Sequence, residues 1–242
     1  MAIQDPHVRS YFSACTCLRV MRYSALCVIC LQAEKIFPAI WHHEHVSNVI
    51  LAIKNTESTM NYCSECGASV ALAIPAGDNR PRHVCANCGM IHYENPKLVV
   101  GAIPEWEDSI LLCRRAIEPR YGKWTLPAGF METRESTAKA ASRETLEEAS
   151  AQIEIGEMFT LIDVPAISQV YIFYRARLLD TDFHPGEESL ETALFPESRI
   201  PWDDIAFHTV SLTLRHYFAD RANGVWRFHT MTLPMAYSSN DV

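Results

Sequence analysis

Four cysteines restrict this chain more tightly than any hydrophobic pattern in it. Cys63-Ser-Glu-Cys66 and Cys85-Ala-Asn-Cys88 stand eighteen residues apart. Two such turns at that distance can place four thiolates tetrahedrally about one Zn²⁺. Gly67 and Gly89 follow the second cysteine of each pair, and glycine suits a tight turn that aims backbone N–H groups at sulfur. A segment of about 35 residues buries little core, so the metal supplies the missing stability. Protein fills all four positions, which makes the site structural rather than catalytic. Residues 60–93 are therefore expected to form a small zinc-stapled module with a structural or dimer-forming role, and a homodimer is expected.

The same cysteine usage points to a reducing compartment, and a cytoplasmic location is the simplest expectation. A net charge of −8 argues against a broad electrostatic grip on nucleic acid or anionic lipid. It leaves room for a small phosphorylated ligand, because a bound cation reverses the local sign. No apolar run approaches the roughly 18 residues of a membrane span. Residues 1–59 lack clear periodicity. The simplest reading makes Met60 the true start and the upstream text an over-extended gene. A targeting segment around Arg19, Arg22 and Ala25–Leu31 is the second reading, and it would place the protein in an organelle. A second metal site from Cys27, Cys30, His42 and His45 is the third.

From residue 97 the text is α/β. Leu98–Ile103 and Ser109–Cys113 flank a turn at Glu105–Asp108, and Trp124–Pro127 is a further extended run. Thr133 or Ser136 can cap a helix running to about Ala149. Met158–Val164 and Gln169–Leu178 read as strands, and Val210–Asp220 as an amphipathic helix that Gly224 stops. Residues 223–242 form an uninformative tail.

The first of those helices carries the chemistry. Glu144, Glu147 and Glu148 share one of its faces, and like charges so arranged are unfavourable without a cation. A solvated acidic face is the bland alternative. Gly129 ends an extended run where its carbonyl can approach a metal closely, and Glu135 and Arg143 can tie the loop to the helix. Oxygen-only donors on a loop and helix suit Mg²⁺ or Mn²⁺.

The segment from Gly129 to Ala151 resembles the box of the Nudix hydrolase family, Gly-x5-Glu-x7-Arg-Glu-U-x-Glu-Glu-x-Gly-U, where U is bulky and aliphatic. Gly129, Glu135, Arg143, Glu144, Glu147 and Glu148 fall on its positions. Thr145 and Ala151 depart at aliphatic positions and Ser150 replaces the second glycine. The resemblance extends from Cys63 to about Asp220. It implies an α/β/α sandwich with a mixed sheet over residues 97–222, preceded by a zinc ribbon. It implies catalytic metals on Gly129, Glu144, Glu147 and Glu148, with water attacking a phosphorus of a nucleotide pyrophosphate to release AMP.

The order of ribbon and box resembles two groups, NADH pyrophosphatases and ribbon-bearing hydrolases of FAD and ADP-ribose. The first carries a Ser-Gln-Pro-Trp-Pro-Phe-Pro array. Here Ser168-Gln169 runs into Val-Tyr-Ile-Phe-Tyr instead, while Pro185–Glu191 and Ile200–Phe207 look like the second group. FAD or ADP-ribose is therefore the expected substrate, with NADH the alternative. Glu147 or Glu188 is the expected base. Arg114, Arg115 or Arg120 is expected to clamp phosphate, and Tyr171 and Phe173 to stack on a ring. A ligand sensor on an inactive scaffold and a zinc-ribbon nucleic-acid binder are the competing classes. The retained glutamates and the acidic balance, respectively, speak against them.

Overall fold

The computed structural model describes residues 60–235. The readings placed on residues 1–59, the second metal site included, lie outside the described residues. The chain divides into a unit ending at His92 and one starting at Tyr93. In the first, β1 (Val70–Ala73), β2 (Arg82–Cys85) and β3 (Ile91–His92) form an antiparallel sheet in that order. The Gly67 N–H donates to the Cys63 carbonyl and the Gly89 N–H to that of Cys85, both at 2.9 Å. These bonds close the two turns. Both glycines have positive φ, 71° and 75°, where a side chain would be strained.

The second unit is an eight-stranded mixed sheet between two helices. Its elements are β4 (Lys97–Trp106), β5 (Ser109–Arg115), β6 (Trp124–Thr125), β7 (Ala128–Phe130), α1 (Thr137–Ala149), β8 (Ile153–Val164), β9 (Gln169–Leu178), β10 (Ser189–Pro196), α2 (His208–Asn223) and β11 (His229–Thr232). The strand order is β10-β5-β4-β9-β8-β11, with β6 on β5 and β7 on β4. β4 pairs parallel with β9, and β8 parallel with β11.

Alternation along the central strands explains the sandwich. Val100 and Ala102 of β4, with Ile172, Tyr174 and Ala176 of β9, pack with Ala140 and Ala141 of α1. Val99 and Ile103, with Tyr171 and Phe173, pack on the other face with Val210, Leu214, Tyr217 and Phe218 of α2. A strand buried on both faces reads as a continuous apolar run, as Leu98–Ile103 does.

The two edge strands of this sheet escape the sequence reading. β10 follows directly on Glu188 and pairs antiparallel with β5. The expected tail instead contributes β11, which takes one edge of the sheet. Among the described residues no helix is long and apolar enough to cross a membrane.

Candidate metal centre

The hairpin of β4 and β5 pairs directly only near its turn, Glu105 with Ile110 and Trp106 with Ser109. Farther on the two strands part, and the segment Trp124–Phe130 enters between them. β6 pairs with β5 there, and β7 with β4. The inserted segment bends at Pro127, whose carbonyl accepts the Ala102 N–H at 3.1 Å. That route delivers Gly129 to the face of α1, where its α-carbon lies against the Glu144 carboxylate. A side chain at 129 would occupy the carboxylate's place.

α1 begins at Ser136, whose hydroxyl accepts the Lys139 N–H at 3.3 Å, and this decides between the two expected caps. The helix ends at Ser150 in the left-handed region, φ 51°, with its N–H on the Leu146 carbonyl. The position that departs from the box is thus one that favours glycine. Thr145, the other departure on the helix, is fully buried and satisfies its hydroxyl on the Ala141 carbonyl at 2.8 Å.

Arg143 organises the acids. It donates to both oxygens of Glu135 at 3.2 and 2.8 Å, and to Glu144 at 2.7 Å, Glu147 at 2.9 Å and the Phe130 carbonyl at 3.1 Å. The Arg143 hydrogen bonds hold Glu135 below its ordinary carboxylate range, aided by the Glu132 N–H. Burial raises Glu144, against the pull of Arg143. Glu148 is raised furthest, to about 8, first by burial and then by the charge of Glu144. Its Oε2 is buried and has no hydrogen-bond partner.

The loop before β10 seals the end of the helix. The N–H of His184 donates to the Ala149 carbonyl and that of Gly186 to the Glu148 carbonyl, both at 3.0 Å. These bonds satisfy carbonyls that a helix terminus leaves open. Gly186 lies so close to the Glu147 carbonyl that a β-carbon would overlap it. Glu188 follows, with its carbonyl accepting the Ala116 N–H at 2.8 Å. Its charge adds to the upward pressure on Glu144 and Glu148.

An all-oxygen donor set, an unpartnered buried carboxylate oxygen and a glycine with no room for a side chain fit a hard divalent cation. The carboxylates lie along an open cleft rather than converging on one point, and Mg²⁺ keeps several waters in such sites. Sulfur converges more closely. The Cys63, Cys66, Cys85 and Cys88 ligand atoms lie within 4.8 Å of one another. The His92 Nε2 stands 3.4 Å from the Cys63 sulfur and the Asn87 amide donates to Cys66 at 3.6 Å. This arrangement fits zinc.

The cleft encloses about 860 Å³. Its lining holds seven glutamates, the three of α1 with Glu118, Glu132, Glu187 and Glu188, together with apolar groups from Val99, Ile167, Tyr171, Phe207 and Val210. Of the three arginines expected to clamp phosphate, Arg115 lines the cleft. Arg114 donates to the Gly122 carbonyl at 2.9 Å and pairs with Glu191 on β10 at 3.6 Å. Arg120, in the left-handed region at φ 69°, is likewise outside the lining. Tyr171 borders the cleft with its hydroxyl on Gln169 Oε1 at 2.9 Å. Burial pushes its phenol up to about 12, with Arg115 opposing. Phe173 is 1% exposed and serves mainly the core beneath. Phe207 and the exposed Phe130 are cleft aromatics that sequence reasoning missed. Phe130 stands inside the quoted box at a position the pattern leaves free, and only the fold brings Phe207 there.

The family model for the NUDIX domain matches residues 95–217, and the Nudix N-terminal zinc-ribbon model matches residues 61–94. A crystal structure of a NUDIX hydrolase from Nitrosomonas europaea is 54% identical, with a TM-score of 0.71, covering 72% of this chain and 99% of that one. The NAD-capped RNA hydrolase NudC of Photobacterium profundum is 27% identical over 142 residues, 58% of this chain and 51% of that protein. A putative ADP-ribose pyrophosphatase of Bacillus subtilis is 31% identical over 116 residues, 45% of this chain and 54% of that protein. The chain thus spans about half the length of these curated relatives.

Proposed function

Because the chain belongs to the Nudix hydrolase family, we propose that it cleaves the pyrophosphate of a nucleoside diphosphate derivative, FAD or ADP-ribose foremost, and releases AMP. The observation that carries this reading is the acidic face of α1, with its unpartnered Glu148 oxygen, set in one cleft with Arg115 and an apolar wall. The acids would hold the cation, Arg115 the phosphate, and the wall the ring or sugar at one end.

Glu144, Glu147, Glu148 and the Gly129 carbonyl are the residues that would hold Mg²⁺ or Mn²⁺. A divalent cation bound there neutralises phosphate charge and makes a neighbouring water more acidic. The protein's own groups do the rest. Arg143 keeps Glu144 and Glu147 extended toward the cleft and Glu135 locks the loop that presents Gly129. Glu188, fixed through Gly186 and its own carbonyl, takes the proton from the attacking water. Glu147 is the second candidate for that role, and its ion pair with Arg143 favours the metal role instead. Arg115 neutralises the phosphate that is not attacked.

Relatives named as ADP-ribose pyrophosphatases from Bacillus subtilis and Methanocaldococcus jannaschii support the substrate class, as does the missing Trp-Pro-Phe-Pro array. The relative that acts on NAD-capped RNA favours the alternative, an NADH-type dinucleotide. Rates of AMP release by the full chain with Mg²⁺ from FAD, ADP-ribose, NADH and a diadenosine polyphosphate test the reading. FAD or ADP-ribose is expected to give the highest kcat/KM. Overlap among substrates is expected too, since ring stacking discriminates by only about 1–3 kcal/mol. A preference for NADH overturns the substrate, and no turnover of any of the four overturns the reaction.

A further inference from the structure

Arg115 closes β5 with its backbone tied on both sides. Its N–H donates to the Lys123 carbonyl and its own carbonyl accepts the Gly122 N–H, each at 2.9 Å. The side chain is fixed at two more points. Nε donates to the Pro119 carbonyl at 2.9 Å, and the guanidinium carbon lies 5.0 Å from the centroid of the Phe207 ring. These contacts occupy one N–H and set the guanidinium carbon over the Phe207 ring. Among the described residues its two terminal amino groups have no hydrogen-bond acceptor.

Arg143, the other cleft arginine, is spent on Glu135, Glu144 and Glu147. Arg115 is therefore the guanidinium in the cleft lining with donors to spare for an anion. A bidentate grip on a phosphate depends on the plane of the fork. The bond from Nε to the Pro119 carbonyl fixes one point of that plane and leaves rotation about it. Phe207 is built to limit that rotation. It precedes α2, with the Ser211 N–H on its carbonyl at 3.1 Å, and its neighbour Ala206 is pinned to the Trp124 carbonyl at 2.7 Å. Its ring packs against the apolar core beneath α2.

We infer that Phe207 is a positioning residue: its ring holds the Arg115 guanidinium flat, at the angle at which the free amino groups grip a phosphate of the substrate. The inference rests on the cleft being a phosphate site, as proposed above. The pair also gives the apolar wall a cationic end, so one end of a bound diphosphate meets a flat aromatic–guanidinium layer rather than a mobile charge.

Equilibrium binding of inorganic pyrophosphate to the full chain, with Mg²⁺ present, separates this role from mere packing. Phe207→Met keeps the apolar bulk and removes the ring, and is expected to weaken binding by about 3–10-fold. Phe207→Tyr restores the ring and should restore affinity. Arg115→Ala should weaken binding at least as much as Phe207→Met, and adding Phe207→Met to it should cost nothing further. In turnover the Met variant should raise KM several-fold and leave kcat nearly unchanged. Thermal unfolding of each variant checks the fold, and Phe207→Leu replaces the Met variant if that one unfolds. Equal losses from Phe207→Met with and without Arg115, or no loss at all, overturn the positioning role. Unchanged binding in Arg115→Ala overturns the phosphate reading beneath it.

Discussion

Glu148 bears the largest electrostatic burden on α1. It is buried, one of its oxygens has no partner, and Glu144 and Glu188 add their charges to its own. Glu148→Gln removes that charge and keeps the shape. In chelator the variant should unfold later than the parent, by on the order of 1–3 kcal/mol. With Mg²⁺ its hydrolytic rate should fall by orders of magnitude, and the stabilisation that Mg²⁺ gives the parent should vanish. Calorimetric unfolding of both proteins with and without Mg²⁺ reads the two stability effects and AMP release reads the rate, and a parent that gains no stability from Mg²⁺ removes the metal assignment. At this scale the site was legible wherever spacing is local. Glu144, Glu147 and Glu148 declare a common helical face because they lie three and four residues apart. Phe207 declares nothing, because its partner Arg115 lies on another element and only the fold joins them. Arg114, Arg115 and Arg120 looked equivalent as text. The pleat of β5 separates the first two, and a left-handed turn carries the third away.

The elements that went unseen were the edge strands. β10 is unevenly buried and β11 is only four residues long, and their register comes from partners far away in the chain. β11 is held by a polar cluster that periodicity cannot reveal. His229 Nε2 lies 2.9 Å from a carboxylate oxygen of Asp220, which also accepts the Arg227 N–H at 2.8 Å. The His229 ring stacks on His216 at 4.2 Å. Nearby, Arg175 pairs with Glu105 and lies 3.3 Å from the Trp226 ring centroid. Burial and the facing His229 lower His216 below its ordinary 6.5. A histidine so lowered resists charging in the fold, so its contribution is full above 6.5 and is lost as pH falls below it. Burial works to raise Asp220, but the bonds from His229 and Arg227 bring it below 3.8. Its contribution is present above 3.8 and is lost as pH falls through the lowered value. Both signs agree that acid loosens β11. Amide exchange at Thr230 and Met231, corrected for intrinsic rates, should be faster at about pH 5.5 than at pH 7.5. His216→Phe should flatten that difference, and equal protection at both pH values would refute the argument.

At the scale of the whole molecule the chain carries two different solutions to the problem of stability. The second unit buries apolar residues on both faces of its sheet. The first exposes Leu72 at 63% and Ile74 at 62% and has little core, and its four closely set sulfurs fit a fold stapled by a metal. Cys63→Ser should abolish stoichiometric zinc and melt β1–β3. The Nudix unit should keep its own unfolding transition. Metal analysis with calorimetry decides the matter, and a variant that retains both zinc and a folded ribbon would disprove it. The sequence carried this division plainly, because Cys-x-x-Cys spacing is a local signal and ribbons need little else. It could not carry the closure of the larger sheet. Lys97 pairs with Gln169, and Thr160 with His229, so both parallel ladders join segments that are remote along the chain. Loop-closure entropy makes such contacts late ones in folding. α1 packs chiefly on β4 and β7, which precede it in the chain, but β9 completes that face only later, and no Glu188 stands beside its acids until β10 follows. Glu144, Glu147 and Glu148 share a face as soon as α1 forms, but Glu188 joins them only through the segment that leads into β10, so a half-folded chain lacks the full cluster of acids.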